Sequence, residues 1–553
     1  MHLERVQSKQ RGKVYQQILL RESYREPGAP RSAVKKRTLL NLTSYLEKDV
    51  LAIEFALKHK NELPRLQQIM AGHVEQKQGP SVGAVWVLWR LCQDMGLVKA
   101  LGRSTEALLA LWLIMARLID QGSRLSAVRL AREHAGPELL GLSDFDENDL
   151  YRAMDWLCRR QARIEKVLHV QQSPVPEGQL FFYDVTSSYL EGDRNELADY
   201  GYNRDKKHGK KQIVIGLLCD DRGDPVATEV FQGNTSDLST FESQVNKVAD
   251  RFGCKRVTFV GDRGMIKSGQ IEEIRNSGFH YVTAITKAQI RALIKQKVFQ
   301  LSLFDENVCE IEHEGVRYIL RKNPIRADQI AKNRASKLAA LRAYAEKQNQ
   351  YLAAHPRAEV HTAYLGVWDK VGRLNLSHFV AVRVEDRRIL LELDEEYINR
   401  TAELDGCYAI RTDLPKQAAN ALTIHERYKD LAMVERAFRN MKTGHLEVRP
   451  VYVRNADRTR AHVFITMLAY KIRLRLEKAW RSLDITVEEG LKRLSTLCAM
   501  EIVVAGEAGY LAVPAPRDDL ATIFNLLGIT APATLPRRKA KVDTMTKLTS
   551  RRK

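Results

Sequence analysis

Two stretches decide the fold: LFFYDVTSSY at residues 180–189 and QIVIGLLC at residues 212–219. The second has no charged position, so it reads as a strand buried on both faces. The first is apolar and aromatic except for Asp184, which period two places on one face with Leu180, Phe182 and Thr186. Working outward, Asp221–Asp224 is a turn and Pro225–Phe231 a return strand. Ser236–Arg251 is a helix capped by Ser236 or Asp237, and Val257–Val260 is the next strand. A helix from about Ser268 and a strand at Tyr281–Ile285 follow.

Three antiparallel-capable strands, a helix, a strand, a helix and a strand describe a ribonuclease-H-like α/β core. The pattern then breaks. Asn307–Lys322 reads as a hairpin turning at Glu314-Gly315, Asp328–Ala354 as a long charged helix, and Leu376–Val384 and Ile389–Leu393 as further strands. Tyr408–Thr412 resumes the core and Lys416–Met441 supplies its next helices. Upstream, Val14–Glu22 and Ala33–Leu42 read as a β-hairpin, Leu46 to about Leu168 as helical, and Gln171–Gly178 as a linker. The expected layout is a basic N-terminal β-hairpin region at 1–60 and a helical region at 61–175. The first part of the core is 176–287, an inserted mixed β/α domain 288–404, and the second part of the core 405–485. C-terminal helices and a basic tail occupy 486–553.

The 553 residues carry 88 Lys plus Arg against 68 Asp plus Glu, a net charge of +20 that calls for a polyanionic partner, nucleic acid first. A membrane partner is not expected: the longest apolar run, Ala107–Ala116, is about half the ~20 residues of a span. No apolar leader follows Met1, and seven scattered cysteines fit reduced cytosolic thiols with no zinc spacing. No Gly-x4-Gly-Lys-Ser/Thr run occurs, so no nucleotide cofactor is expected. Eight basic residues and one acid in Arg537–Lys553 describe a solvated tail or a direct DNA contact.

Three acids stand out. Asp184 interrupts a buried strand, where a charge is costly unless paired or bound to metal. Asp262, in FVGDRGMIKSG, follows a strand at its C-terminal end, where open α/β sheets place ligands. Glu435 lies in YKDLAMVERAFRNMK (428–442), read as one helix with Tyr428, Glu435 and Lys442 along one side and Leu431, Val434, Phe438 and Met441 as the apolar stripe beside them. Two strands and a helix could present three carboxylates to a pair of hard cations about 4 Å apart, as phosphodiester attack requires. Buried ion pairs and ordinary surface acids are equally open readings of the spacing.

The blocks YDVTSSY, GYNRDKKHGKKQIVIGLL, FQGNTSD, FVGDRGM, DGCYAIRTDL, YKDLAMVERAFRNMK and RPVYVRNADRTRAHVFITMLAY occur in this order across roughly residues 175–485. The chain thereby resembles bacterial insertion-sequence transposases of the DDE class. That resemblance implies Asp184, Asp262 and Glu435 as the catalytic triad holding two Mg2+ ions, with Mn2+ able to substitute. It implies cleavage at terminal inverted repeats, joining of 3′-hydroxyl ends to target DNA, a homodimer assembled on double-stranded DNA, and a cytoplasmic, nucleoid-associated protein. A Tyr-x2-Arg-x3-Glu-x6-Lys signature is met by Tyr428, Glu435 and Lys442, with Leu431 in the Arg position. DNA contacts are expected from Lys442, Tyr428, Arg204, Lys206, Lys207, Arg436, Arg439 and Arg458. For the basic run at 204–211, a solvated loop is the rival reading. For the whole chain, the alternative is a catalytically inactive, transposase-derived DNA-binding protein or repressor.

Overall fold

The computed structural model describes every residue except 11–12, 25–33, 61–73, 173–178, 193, 206, 306, 443, 449–451, 505–506 and 537–553. The expected linker and the basic tail therefore lie largely or wholly outside the described residues.

The N-terminal region is a three-stranded antiparallel sheet, not a two-stranded hairpin: β1 (His2–Gln10), β2 (Lys13–Tyr24) and β3 (Lys35–Asn41), in the order β1-β2-β3. The sequence reading missed β1 because HLERVQSKQ is too polar to show apolar alternation. A second strand in the expected all-helical region, β4 (Val74–Ser81), escaped for the same reason: VEQKQGPS has almost no apolar side chain. β4 is held by its backbone, pairing with β15 (Cys498–Val504) more than 400 residues away.

The central sheet is mixed and eight-stranded. It contains β5 (Gln179–Tyr189), β6 (Gln212–Cys219), β7 (Pro225–Phe231), β8 (Val257–Gly261), β9 (His280–Ala284), β10 (Cys309–His313), β11 (Val316–Lys322) and β14 (Cys407–Thr412). Their order is β10-β11-β14-β9-β8-β5-β6-β7. β8 runs parallel to β5 and to β9; the other pairings are antiparallel. The sheet is covered on both faces, which is why all eight residues of β6 are buried. Phe181, Tyr183, Val185, Val214 and Leu218 face a core shared with helices Asp237–Asn246 and Ser268–Asn276. Phe182, Ile213, Ile215 and Leu217 face the larger core. That core is continuous with helices Thr105–Ile119, Glu147–Gln172 and Ala456–Ala479, so the N-terminal helical region packs on the sheet instead of standing apart.

The expected insertion boundary is corrected. Residues 309–322 are part of the central sheet, because β11 pairs with β14 from Arg317–Thr412 to Lys322–Cys407. Buried Arg317 locks this junction: it pairs with Glu310 at 2.9 Å and donates to the carbonyls of Leu414 (2.7 Å) and Ala419 (3.0 Å). The excursion proper runs from helix Pro324–Ala354 through helix Val360–Arg373, the two-stranded ladder β12 (Val380–Glu385) and β13 (Arg388–Leu393), and helix Glu395–Ala402. It has its own core around Leu341, Val367, Val371, Leu376, Val380 and Ile389. The C-terminal region is likewise not purely helical. Helices Val487–Leu494 and Asp518–Leu526 flank a sheet of order β17-β16-β15-β4, with β16 at Glu507–Ala512 and β17 at Thr534–Leu535. Among the described residues, no helix is long and apolar enough to cross a membrane.

Candidate active site

The register of β5 on β8 builds the site. Gln179 pairs with Val257 and each following pair keeps that offset to Tyr183 with Gly261. The difference, 257 − 179 = 78, equals 262 − 184 = 78, so Asp184 directly follows the last paired residue of β5, and Asp262 directly follows the end of β8 at Gly261. Adjacent strands lie about 4.8 Å apart, so the two backbones are neighbours where these acids begin, and the Asp262 carboxylate acts electrostatically on Asp184. Asp184 is partly exposed and accepts a hydrogen bond from the Val185 N–H at 2.8 Å. Asp262 is exposed; its carbonyl accepts from the Met265 N–H at 2.9 Å, which turns the chain away immediately after the carboxylate.

Glu435 comes from helix Ala432–Lys442, which packs across β5. Val434, Ala437, Phe438 and Met441 are its buried face, and Glu435 is exposed in its first turn. The single helix expected over 428–442 is broken: helix Ala421–Lys429 ends before Asp430-Leu431 and a new one starts at Ala432. Tight bonds from the Met433 N–H to the Asp430 carbonyl (2.8 Å) and from Val434 to Leu431 (3.0 Å) form the joint. The break turns Tyr428 toward the strand ends, where its hydroxyl donates to Asp262 Oδ1 at 3.4 Å. Burial first, and Asp262 second, push the Tyr428 phenol pKa up.

The electrostatics join the three acids. Burial raises the Asp184 pKa from 3.8 to about 7. The Val185 N–H and the Arg204 guanidinium oppose that rise, while the Asp262 and Glu435 carboxylates add to it. The three form one field of mutually repelling charge. Even so, among the described residues no three His, Cys, Asp or Glu side chains stand close enough to hold one metal ion. As chemistry, the donor set suits a hard divalent cation: carboxylate oxygens only, two of them on adjacent strand ends, with mutual repulsion a cation relieves. As geometry, the three carboxylates lie near enough for Asp262 and Glu435 to raise the Asp184 pKa, without closing into a three-ligand cluster.

The basic residues depart more from expectation. Lys442, expected to reach a phosphate, points inward and is 9% exposed. Its ammonium pairs with Asp205 at 2.6 Å and donates to Thr186 Oγ1 at 3.1 Å and to the Ser187 carbonyl. It belongs to the buried end of the helix, where a charge must be paired. Arg204 donates to both oxygens of Asp237 at 2.6 Å. Arg436 pairs with Glu477, and Arg458 with Asp155 at 2.8 and 2.9 Å while lying over the Tyr151 ring. Lys207 lies 5.9 Å from the centre of the Tyr189 ring. Arg439 is exposed on the Glu435 helix, and Lys206 lies outside the described residues. The reading of the sequence had Asp237 only as a possible cap. Ser236 is the cap, leaving Asp237 to bind Arg204 beside the site; a pairing across 33 positions carries no local signal.

Comparison with known proteins agrees with this architecture. The family model described as Transposase DDE domain matches residues 176–472, and the model described as IS1634 family transposase, N-terminal domain, matches residues 3–71. A search of the curated proteins found no match.

Proposed function

This chain belongs to the transposase DDE family, and from that premise we propose that it cleaves the ends of an insertion sequence and joins them to target DNA. The single observation that carries the reading is the parallel register of β5 on β8, which supports Asp184 and Asp262 as neighbours at the last paired rung, with the Glu435 helix packed on β5. The strand order and the two covered faces support a ribonuclease-H-like core for this sheet.

In this reading Asp184, Asp262 and Glu435 hold two Mg2+ ions, with Mn2+ substituting. The ions, when bound, supply the charge that activates a water or 3′-hydroxyl and neutralises the leaving oxygen. Asp184 must release its proton to serve, so acid opposes metal binding there, and a bound cation would lower the pH at which the proton leaves. Tyr428 orients Asp262 through its hydroxyl. Lys442 and Arg204 act as positioning residues: Lys442 ties the Glu435 helix to β5, and Arg204 lowers the proton affinity of Asp184. The excess of basic residues supplies affinity for double-stranded DNA, on which two copies assemble at terminal inverted repeats in the nucleoid.

The test incubates the full chain with duplex DNA bearing the element's ends and Mg2+ or Mn2+, alongside Asp184→Asn, Asp262→Asn and Glu435→Gln. The reading expects metal-dependent cuts exposing 3′-hydroxyls with the unaltered chain, none with any variant, and DNA binding retained by all. Near-normal cleavage by one variant removes that residue from the triad. DNA binding without cleavage by the unaltered chain supports a non-catalytic repressor instead.

A further inference from the structure

The connection between β5 and β6 exposes two tyrosines on a backbone that is unusually well fixed. Tyr200 is 61% exposed and Tyr202 83% exposed. The backbone that carries these rings is hydrogen-bonded to its surroundings on both sides. Asp199 and Gln212 exchange backbone hydrogen bonds at 3.1 and 2.9 Å, and the Gln212 side chain donates to the carbonyls of Tyr202 (3.3 Å) and Gly233 (2.8 Å). Gly201 is pressed so close to the Gly233 carbonyl that a Cβ would stand 2.3 Å from it. Beyond Tyr202, the Arg204 N–H donates to Ser187 Oγ at 2.9 Å, and buried Asp205 accepts from the Tyr189 N–H at 3.3 Å and from Lys442. The loop is thus bolted to β5, carrying Asp184, and to the helix carrying Glu435.

Each of the two rings on this loop, and that of Tyr189 at the end of β5, is accompanied by a cation. Lys211 stands 5.7 Å from the Tyr200 ring centre, Arg204 5.8 Å from that of Tyr202, and Lys207 5.9 Å from that of Tyr189. Interleaved exposed rings and cations are what a chain of stacked bases and phosphates requires. A duplex hides its base faces inside the stack, so a ring face can meet a base only where a strand is unpaired.

We propose that Tyr200 and Tyr202 form a stacking platform for one or two unpaired nucleotides of a DNA strand, with Lys207 and Lys211 meeting the adjoining phosphates. This rests on the DNA reading above and adds to it a site for single-stranded DNA. Arg204 links the platform to the acids, lying over Tyr202 while it binds Asp237 and lowers the Asp184 pKa. A base held there meets the residue that links to the acids, Arg204, on backbone hydrogen-bonded at Asp199, Tyr202 and Arg204, which lowers the cost of ordering it.

The test uses the full chain and measures affinity for a short labelled oligothymidylate and for a duplex of equal length. Tyr200→Ala and Tyr202→Ala should each weaken single-strand binding about tenfold and leave duplex binding within about twofold, with the salt dependence unchanged. Tyr202→Phe, which keeps the ring, should bind like the unaltered chain. Unchanged single-strand affinity in both alanine variants, an equal loss on duplex, or a loss in Tyr202→Phe as large as in Tyr202→Ala would overturn the proposal. An unaltered chain that binds duplex but no single strand overturns the platform alone. One that binds neither overturns the DNA reading beneath it.

Discussion

Replacing Asp184 by Asn should make the metal-free protein more stable while abolishing cleavage. Asp184 has its pKa raised from 3.8 to about 7, by burial first, against the Val185 N–H and Arg204, and with help from the Asp262 and Glu435 carboxylates. A carboxyl with a higher pKa in the folded state binds its proton more tightly when folded. The folded state therefore loses stability as pH rises from about 4 to 7, and the loss is complete above 7. A shift of about 3 units at ~1.4 kcal/mol each is about 4 kcal/mol, and water's access to the partly exposed carboxyl lowers this to about 2–4 kcal/mol. The asparagine amide of the variant has no charge to desolvate and keeps an oxygen to accept from the Val185 N–H. Equilibrium urea unfolding with a chelator present should show Asp184→Asn more stable by that amount at pH 8, by about half at pH 5.5, and by almost nothing at pH 4. Adding Mg2+ at pH 8 should stabilise the unaltered chain and narrow the gap. A variant less stable at pH 8, or one whose advantage is the same at every pH, would refute the claim that the fold raises the Asp184 pKa.

Three further outcomes follow from the same geometry. Lys442→Ala should destabilise the protein by about 3–5 kcal/mol, since it leaves the Asp205 carboxylate, 3% exposed, without its cation; adding Asp205→Asn should restore most of the loss in urea unfolding. A Lys442→Ala protein of unchanged stability that nonetheless fails to cleave would return that lysine to the phosphate. Arg204→Ala should move the acid limit of metal-dependent cleavage to higher pH, because the guanidinium lowers the Asp184 pKa; an unmoved pH–rate profile would count against that coupling. Tyr428→Phe should lower cleavage without lowering duplex affinity, since its hydroxyl meets Asp262; a loss of affinity equal to the loss of rate would make Tyr428 a DNA contact instead.

The strands around the site were legible because each is a short apolar run between turn residues. The spacing of 78 between Asp184 and Asp262 turned out to be a strand register, visible once the two strands are known to be parallel neighbours. Residues 309–322 read correctly as a hairpin, yet local pattern says which strands fold back and not which sheet they join; Arg317 decides that through carbonyls about a hundred positions away. The break at Asp430-Leu431 escaped because YKDLAMVERAFRNMK keeps helical periodicity across it. Lys442 escaped because its partner, Asp205, lies 237 positions earlier (442 − 205 = 237) in a loop that reads as solvated.

The central claim is that Asp184, Asp262 and Glu435 serve one metal centre, and anomalous scattering from a crystal of the full chain soaked with Mn2+ tests it most directly. The account predicts Mn2+ peaks at the carboxylates of Asp184, Asp262 and Glu435. Strong Mn2+ peaks elsewhere on the protein, with none between Asp184 and Asp262, would contradict it.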